Sequence, residues 1–311
     1  MSTASAAPSQ LSPHGATRVD LPGRYGPIAA LRIPPSTGPS TPPMAGAQTS
    51  DPAAIALLLP GFTGSKEDFA PLLDRIADAG IEPIAIDLPG QYESPGPDSP
   101  DDEDAYLPES LGQVIAELIG KLAADGRPVL VLGHSYGGLV ARGAVLAGAS
   151  IVGLTLMDSG PGELPAGRQR STLDLGEPYL REHGVEAAQL LREQLDAGDP
   201  AWMGKPEELR DFFRERFVRS TAAGLLGMSR GLRGEPDRVA KLARAMRSLK
   251  APCLVVCGVA DDAWPVAAQR DMAERLDADF AVVANAGHAP NTENPDELLA
   301  TLLPTWHTWL R

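Results

Sequence analysis

Short apolar runs alternate along most of this chain with stretches whose apolar residues recur every three to four positions. Ala54–Leu59 has no polar residue at all, the pattern of a strand buried on both faces. Ser65-Lys66-Glu67-Asp68 then opens a helix in a capping pattern. Phe69, Leu72, Leu73 and Ile76 continue it until Gly80. Ile84–Ile86 predicts another buried strand, and Leu111, Val114, Ile115, Leu118, Ile119 and Leu122 a second amphipathic helix. Val129–Leu132 predicts a strand, Leu139–Leu146 a helix and Ile151–Met157 a strand. Cys253–Cys257 and Phe280–Val283 follow as strands around the helix Val266–Leu276. Strands without polar alternation, interleaved with helices, imply a parallel sheet covered on both sides. The predicted fold class is α/β.

Two regions break the rhythm. From Gly160 to about Lys250 no strand is predicted, only helices over Gly184–Leu195, Glu207–Phe217 and Arg238–Leu249. This reads as a helical insertion between two sheet strands, whose arginines (Arg168, Arg170, Arg181, Arg192, Arg214 and Arg216) form a solvated surface. At the other end, residues 1–20 read as a disordered tail and Tyr25–Ile33 as an edge strand. Pro34–Pro52, crowded with Pro, Ser, Thr and Gly, reads as an irregular loop. The expected division is residues 21–159 with 251–311 as one core, and 160–250 as the insertion.

Composition narrows the function. The 311 residues carry 27 basic and 41 acidic side chains, a formal charge of −14. That balance argues against a nucleic-acid partner or adhesion to anionic membranes. Met1 to about Ser12 has neither the basic start nor the apolar core of a secretory signal, and no run approaches a membrane span. Cys253 and Cys257 share one face of a strand about 13 Å apart, too far for a disulfide. A cytoplasmic location is expected. The acidic stretch Asp98–Asp104 lacks the Gly and terminal Glu of a calcium loop and reads as solvated. No residues stand at a metal-ligand spacing, and no cofactor is expected.

The chemistry lies in Gly133-His134-Ser135-Tyr136-Gly137-Gly138, placed between a predicted strand and a predicted helix. In G-x-S-x-G the serine occupies so sharp a turn that the positions two before and two after it must lack side chains. The strained turn lifts the hydroxyl out at the carboxyl end of the sheet, where the helix dipole favours negative charge. Ser135 is therefore the candidate nucleophile, and it needs a base. Of five histidines, His14, His183 and His307 lie in other contexts, and His134 adjoins the serine and packs beneath the turn. His288 follows the strand Phe280–Val283 at the same sheet edge and is the candidate base. An acid must orient it. Asp261, in Gly258-Val259-Ala260-Asp261-Asp262, is preferred; Asp158, ending Ile151–Met157, and Asp262, otherwise a helix cap, are the alternatives. The backbone N–H groups of Tyr136 and of Phe62, in Pro60-Gly61-Phe62-Thr63-Gly64, are the candidate oxyanion donors.

The segments PGFTGS, DLPGQ, GHSYGG, GVADDAWP and GHAPNTENP together resemble the α/β-hydrolase superfamily. The resemblance covers about Tyr25–Gly160 and Ala251 onward. It implies a mostly parallel sheet of about eight strands, a helical cap at 160–250 and no cofactor. It also implies Ser135, Asp261 and His288 as a triad, with Phe62 and Tyr136 as oxyanion donors. Pro34–Pro52 is longer than a tight hairpin, and the oxyanion segment is PGF in place of an HG-type sequence. The expected function is a serine hydrolase of carboxylic esters acting on a small molecule through an acyl-enzyme. Thioester, lactone, amide or carbon–carbon hydrolysis, cofactor-free peracid formation and a non-catalytic binder remain alternatives. Trp202, Phe212, Phe213, Phe217, Leu225, Leu226 and Met228 are the residues from which a substrate pocket or the cap packing is drawn. Oligomeric state is not encoded in these motifs.

Overall fold

The computed structural model describes residues 7–34 and 54–311. The first six residues and nearly all of the expected loop Pro34–Pro52 lie outside them. Eight strands form one sheet: β1 Thr17–Gly23, β2 Gly26–Arg32, β3 Ile55–Leu59, β4 Glu82–Ile86, β5 Val129–His134, β6 Gly153–Met157, β7 Cys253–Gly258 and β8 Asp279–Val283. Their order is β1-β2-β4-β3-β5-β6-β7-β8. From β4 to β8 every pairing is parallel, while β2 runs antiparallel to both β1 and β4. The central strands β3 to β7 are buried at every position, as unbroken apolar runs require.

Helices cover both faces. On one side lie α2 (Pro108–Leu122), α3 (Tyr136–Leu146), α8 (Val239–Leu249) and α9 (Val266–Leu276), which contribute Leu111, Leu139, Leu242 and Met272 to the larger core. On the other lie α1 (Ala70–Asp78) and α11 (Pro295–Trp309), with Leu73, Leu298 and Trp306. Trp306 Nε1 donates to Thr155 Oγ1 at 3.0 Å, so the polar tip of a fully buried ring is satisfied. The Ser65 capping box starts a 3₁₀ turn, Lys66–Phe69, that leads into α1.

The amino-terminal expectation needs correction. Residues 17–20 of the expected tail are ordered in β1, and β1 is the sheet edge at this end, with Tyr25–Ile33 supplying the inner strand β2. Val19 and Leu21 turn inward from β1 while its other residues are largely exposed, an alternation too short to stand out in the sequence. Gly23 and Gly26 pair across the turn, and Gly26 takes φ +114°, which closes the hairpin.

Between β6 and β7 the chain forms α4 (Arg168–Asp196), α5 (Pro200–Met203), α6 (Glu207–Val218) and α7 (Ala222–Gly234) before α8. Helix α4 starts well before the expected Gly184 and bends there, where φ is +84°. Helix α7 was not foreseen. Its glycines form the contact face: a Cβ at Gly227 would lie 2.3 Å from the Glu103 carbonyl oxygen. Two of the links to the rest of the molecule are ion pairs, the partly buried Arg216–Asp68 at 2.6 Å and the buried Arg142–Glu235 at 2.8 Å. Arg216 therefore departs from the expected solvated surface. A short helix, α10 (Pro290–Glu293), precedes α11.

Candidate active site

Strand β5 delivers Ser135 to the carboxyl edge of the sheet, and α3 begins at the next residue. Ser135 has φ 52° and ψ −118°, a strained conformation for a residue with a Cβ. The surroundings impose it. Ser135 N donates to the Met157 carbonyl at 2.8 Å, and Gly138 N donates to the Ser135 carbonyl at 2.9 Å. A Cβ at Gly133 would lie 2.3 Å from the Gly137 oxygen, and one at Gly137 would lie 2.4 Å from the Leu59 oxygen. Glycine is thus required on both sides of the serine for the backbone to close.

The loop after β8 brings His288 to this turn. Its Nε2 lies 2.9 Å from Ser135 Oγ, and its Nδ1 lies 2.7 Å from Asp261 Oδ1. In the neutral ring Nδ1–H donates to the carboxylate, which leaves Nε2 to accept the serine proton. The Asp261 side chain is fully buried and also accepts from Ala263 N at 2.8 Å and Gln269 Nε2 at 2.6 Å. Burial works to raise its pKa, but the hydrogen bond and charge of His288, with these two donors, leave it below the usual carboxylate range.

The three candidate acids separate. Asp261 bonds the histidine. Asp158, fully buried at the end of β6, lies close by: one atom each from Asp158, Asp261 and His288 fall within 4.8 Å of one another. Asp262 turns away to accept from Gln169 Nε2 of α4 at 3.1 Å, and the cap position of α9 is Pro265. Its expected roles as acid or helix cap are both corrected: adjacent side chains of an extended loop diverge, and Asp262 is the outward one.

The candidate oxyanion donors flank the serine. Tyr136 is the first residue of α3, and its hydroxyl reaches the Tyr106 carbonyl at 2.5 Å, fixing the helix start. A Cβ on Gly61 would lie 3.0 Å from Ser135 Cβ, so the backbone leading into Phe62 passes directly against the nucleophile. Among the described residues neither the Phe62 nor the Tyr136 N–H has a hydrogen-bond acceptor, leaving both able to serve an incoming oxygen.

Supporting side chains escaped the sequence reading because each acts on distant backbone. Gln91 Nε2 donates to the Gly61 carbonyl at 2.8 Å and pins the Phe62 loop. His134 lies between the Gly61 backbone and the loop of the base: it donates from Nε2 to the His288 carbonyl at 2.7 Å and tethers that loop. Burial first, then the neighbouring His288 charge, lowers the His134 pKa to about 4, so its ring is neutral at physiological pH. Nothing in the local sequence marks a partner 30 or 154 positions away.

A cavity of about 500 Å³ opens between the insertion and Phe62; Leu173, Leu180, Phe217 and Leu226 line it together with the polar Arg192 and Asp262, and neither Ser135 nor His288 is part of its wall. Its size and largely apolar wall suit a small organic molecule. Trp202, Phe212, Phe213 and Met228 do not line it; Trp202 stacks on Phe213, and Phe212 meets Tyr92 edge to face.

Comparison with known proteins bears on the fold and the family. The chain is 28% identical over 249 residues to the pimeloyl-[acyl-carrier protein] methyl ester esterase of Stenotrophomonas maltophilia, spanning 79% of this chain and 90% of that protein. Its fold is similar to that of a thermophilic esterase from Thermogutta terrifontis (TM-score 0.66, 20% identity, 96% of this chain and 98% of the other). It is also similar to MenH from S. aureus (TM-score 0.66, 19% identity, 91% and 99%). No helix of the described residues is long and apolar enough to cross a membrane. The alpha/beta hydrolase family model matches residues 56–301, and the chain belongs to that family.

Proposed function

We propose that this hydrolase cleaves carboxylic esters of small molecules through a serine acyl-enzyme. Ser135 Oγ attacks the acyl carbon while His288 Nε2 takes its proton. The carbonyl oxygen becomes an oxyanion held by the Phe62 and Tyr136 N–H groups and by the amino-terminal dipole of α3. His288 returns the proton to the leaving alkoxide, and the acyl group stays on Ser135. Water, deprotonated by His288, then attacks the acyl carbon, and the serine leaves with the proton. Asp261 holds the imidazole in its productive tautomer and offsets its transient charge.

The observation that carries this reading is the continuous relay from Ser135 Oγ through His288 to Asp261, at 2.9 and 2.7 Å, with the serine in a strained turn. The esterase relative and the largely apolar cavity beside Phe62 support an ester with an apolar part. The helices of residues 160–250 act as a cap over that cavity. The net charge of −14 and two unpaired buried cysteines support a cytoplasmic enzyme that works without nucleic acid or membrane. No cofactor is needed for this chemistry.

The test is labelling by a fluorophosphonate together with p-nitrophenyl ester turnover. The wild-type protein should label rapidly at Ser135 and lose ester turnover as it does so; Ser135→Ala should do neither. Equal labelling of the variant, or folded wild-type protein that neither labels nor turns over any ester of the series, refutes the reading.

A further inference from the structure

The mechanism above uses one carboxylate, yet the site contains two. Asp158 N donates to the Val256 carbonyl at 2.9 Å, which extends the β6–β7 pairing by one step and brings the residue beside the start of the Asp261 loop. Its φ of 46° turns the side chain off the strand. Oδ1 accepts from Gly258 N at 2.9 Å, whereas Oδ2 is sealed from solvent and receives no hydrogen bond from the described residues. The groups around it are Asp261 and Cys257 of β7 and its loop, with His288 and Glu293 from the segment after β8. No Lys or Arg forms an ion pair with it among the described residues.

We propose that Asp158 keeps its proton at neutral pH and donates it from Oδ2 to Asp261, so that the acid of the relay is a carboxylic acid–carboxylate pair with one negative charge. This rests on the Ser135–His288–Asp261 reading and deepens it. Two carboxyl groups confined together without a cation of their own cannot both ionise; one retains a proton and uses it as a donor. The environment selects which. Asp261 receives hydrogen bonds from His288, Ala263 and Gln269, whereas Asp158 has a single backbone donor. Burial, and then the Asp261 charge, accordingly raise the Asp158 pKa well above the carboxylate range. A proton on Oδ2 also satisfies the one carboxyl oxygen of the pair that otherwise has no partner among the described residues. Asp158 is in this account a positioning residue: it touches no substrate, but fixes the oxygen that orients His288 and keeps a second charge away from the imidazolium.

The experiment compares the pH dependence of kcat/KM on a p-nitrophenyl ester for the wild type, Asp158→Ala and Asp158→Asn. Losing the donor in Asp158→Ala should lower kcat/KM about tenfold or more. The Asn amide donates in the same direction without changing charge, so Asp158→Asn should recover most of that loss and keep the acidic limb where it is. A limb displaced downward by about one pH unit or more in Asp158→Asn would mean that a real charge was removed, and it overturns the proposal. So does Asp158→Ala with wild-type kcat/KM. Carbon-13 NMR of aspartate carboxyls in the unmodified protein gives a reading independent of any variant. One aspartic acid should remain protonated at pH 7 and ionise on unfolding; its absence refutes the pair. Should Ser135→Ala retain full activity, the serine reading fails while the carboxyl spectrum still reports the proton.

Discussion

His134 offers a stability test that does not depend on knowing the substrate. Its Nε2–H is committed to the His288 carbonyl, and its Nδ1 is buried with no partner among the described residues, facing the Gly61 backbone. A second proton would go to Nδ1, where there is nothing to accept it. The folded protein therefore resists protonation down to about pH 4, while the unfolded chain accepts the proton near 6.5. Because the folded pKa is depressed, the unfolded state binds more protons between those values, and stability falls as pH falls through that window. The full difference corresponds to roughly 3 kcal/mol, of which about 2 kcal/mol is already lost at pH 5. His134→Gln keeps an N–H donor of similar reach without the titration. Asp87, which burial pushes up to about 6 despite Lys66, contributes with the opposite sign in the same range, so the comparison is between proteins. Urea unfolding at intervals from pH 7.5 to 5 should show wild type losing about 2 kcal/mol more than His134→Gln. Parallel stability curves for the two proteins would refute the argument.

Three further outcomes follow from the site. Gly137→Ala should lower kcat/KM by at least about a hundredfold and destabilise by roughly 1–3 kcal/mol, because its Cβ would meet the Leu59 and Pro60 carbonyls; ester kinetics and thermal melting check both. Asp261→Asn should reduce kcat at pH 7 by roughly three to four orders of magnitude through the wrong histidine tautomer. Asp262→Asn, whose carboxylate meets Gln169, should change it by less than about twofold; the reverse order would reassign the acid. Leu226→Trp should fill part of the cavity and lower the preference for long-chain over short-chain p-nitrophenyl esters by about tenfold, read as the ratio of kcat/KM values.

The features legible in the sequence were those in which one segment states its own constraint. A strand buried on both faces must be apolar throughout, so Ile55–Leu59 and Cys253–Gly258 announced themselves. The serine turn did so too, since Gly133 and Gly137 are demanded by backbone contacts within the turn and with β3. Strand β1 was hidden because only Val19 and Leu21 carry its inward face. Helix α7 was hidden for a different reason. Gly224, Gly227 and Gly231 weaken its local helix signal, yet they are what allow it to approach Tyr106, Glu103 and Tyr136. Local propensity was given up there for close packing between elements, which sequence periodicity does not record.

The same division separates the reacting groups from those that hold them. Ser135, Asp261 and His288 could be proposed because chemistry restricts which residue types can act and the fold restricts where they stand. Gln91, Gln269 and His134 carry no such restriction: any side chain with an N–H of suitable reach could make their bonds. Their placement nevertheless sets the relay, since His134 fixes the backbone of the base, Gln269 the acid and Gln91 the loop behind Phe62. Asp158 falls between the two groups. Its position at a strand end was readable, and so it stood as a rival acid; what the sequence could not show is that Asp261 receives the better donors. Two carboxyls of one type at one sheet edge are distinguished by the hydrogen bonds around them, which only the folded chain assembles.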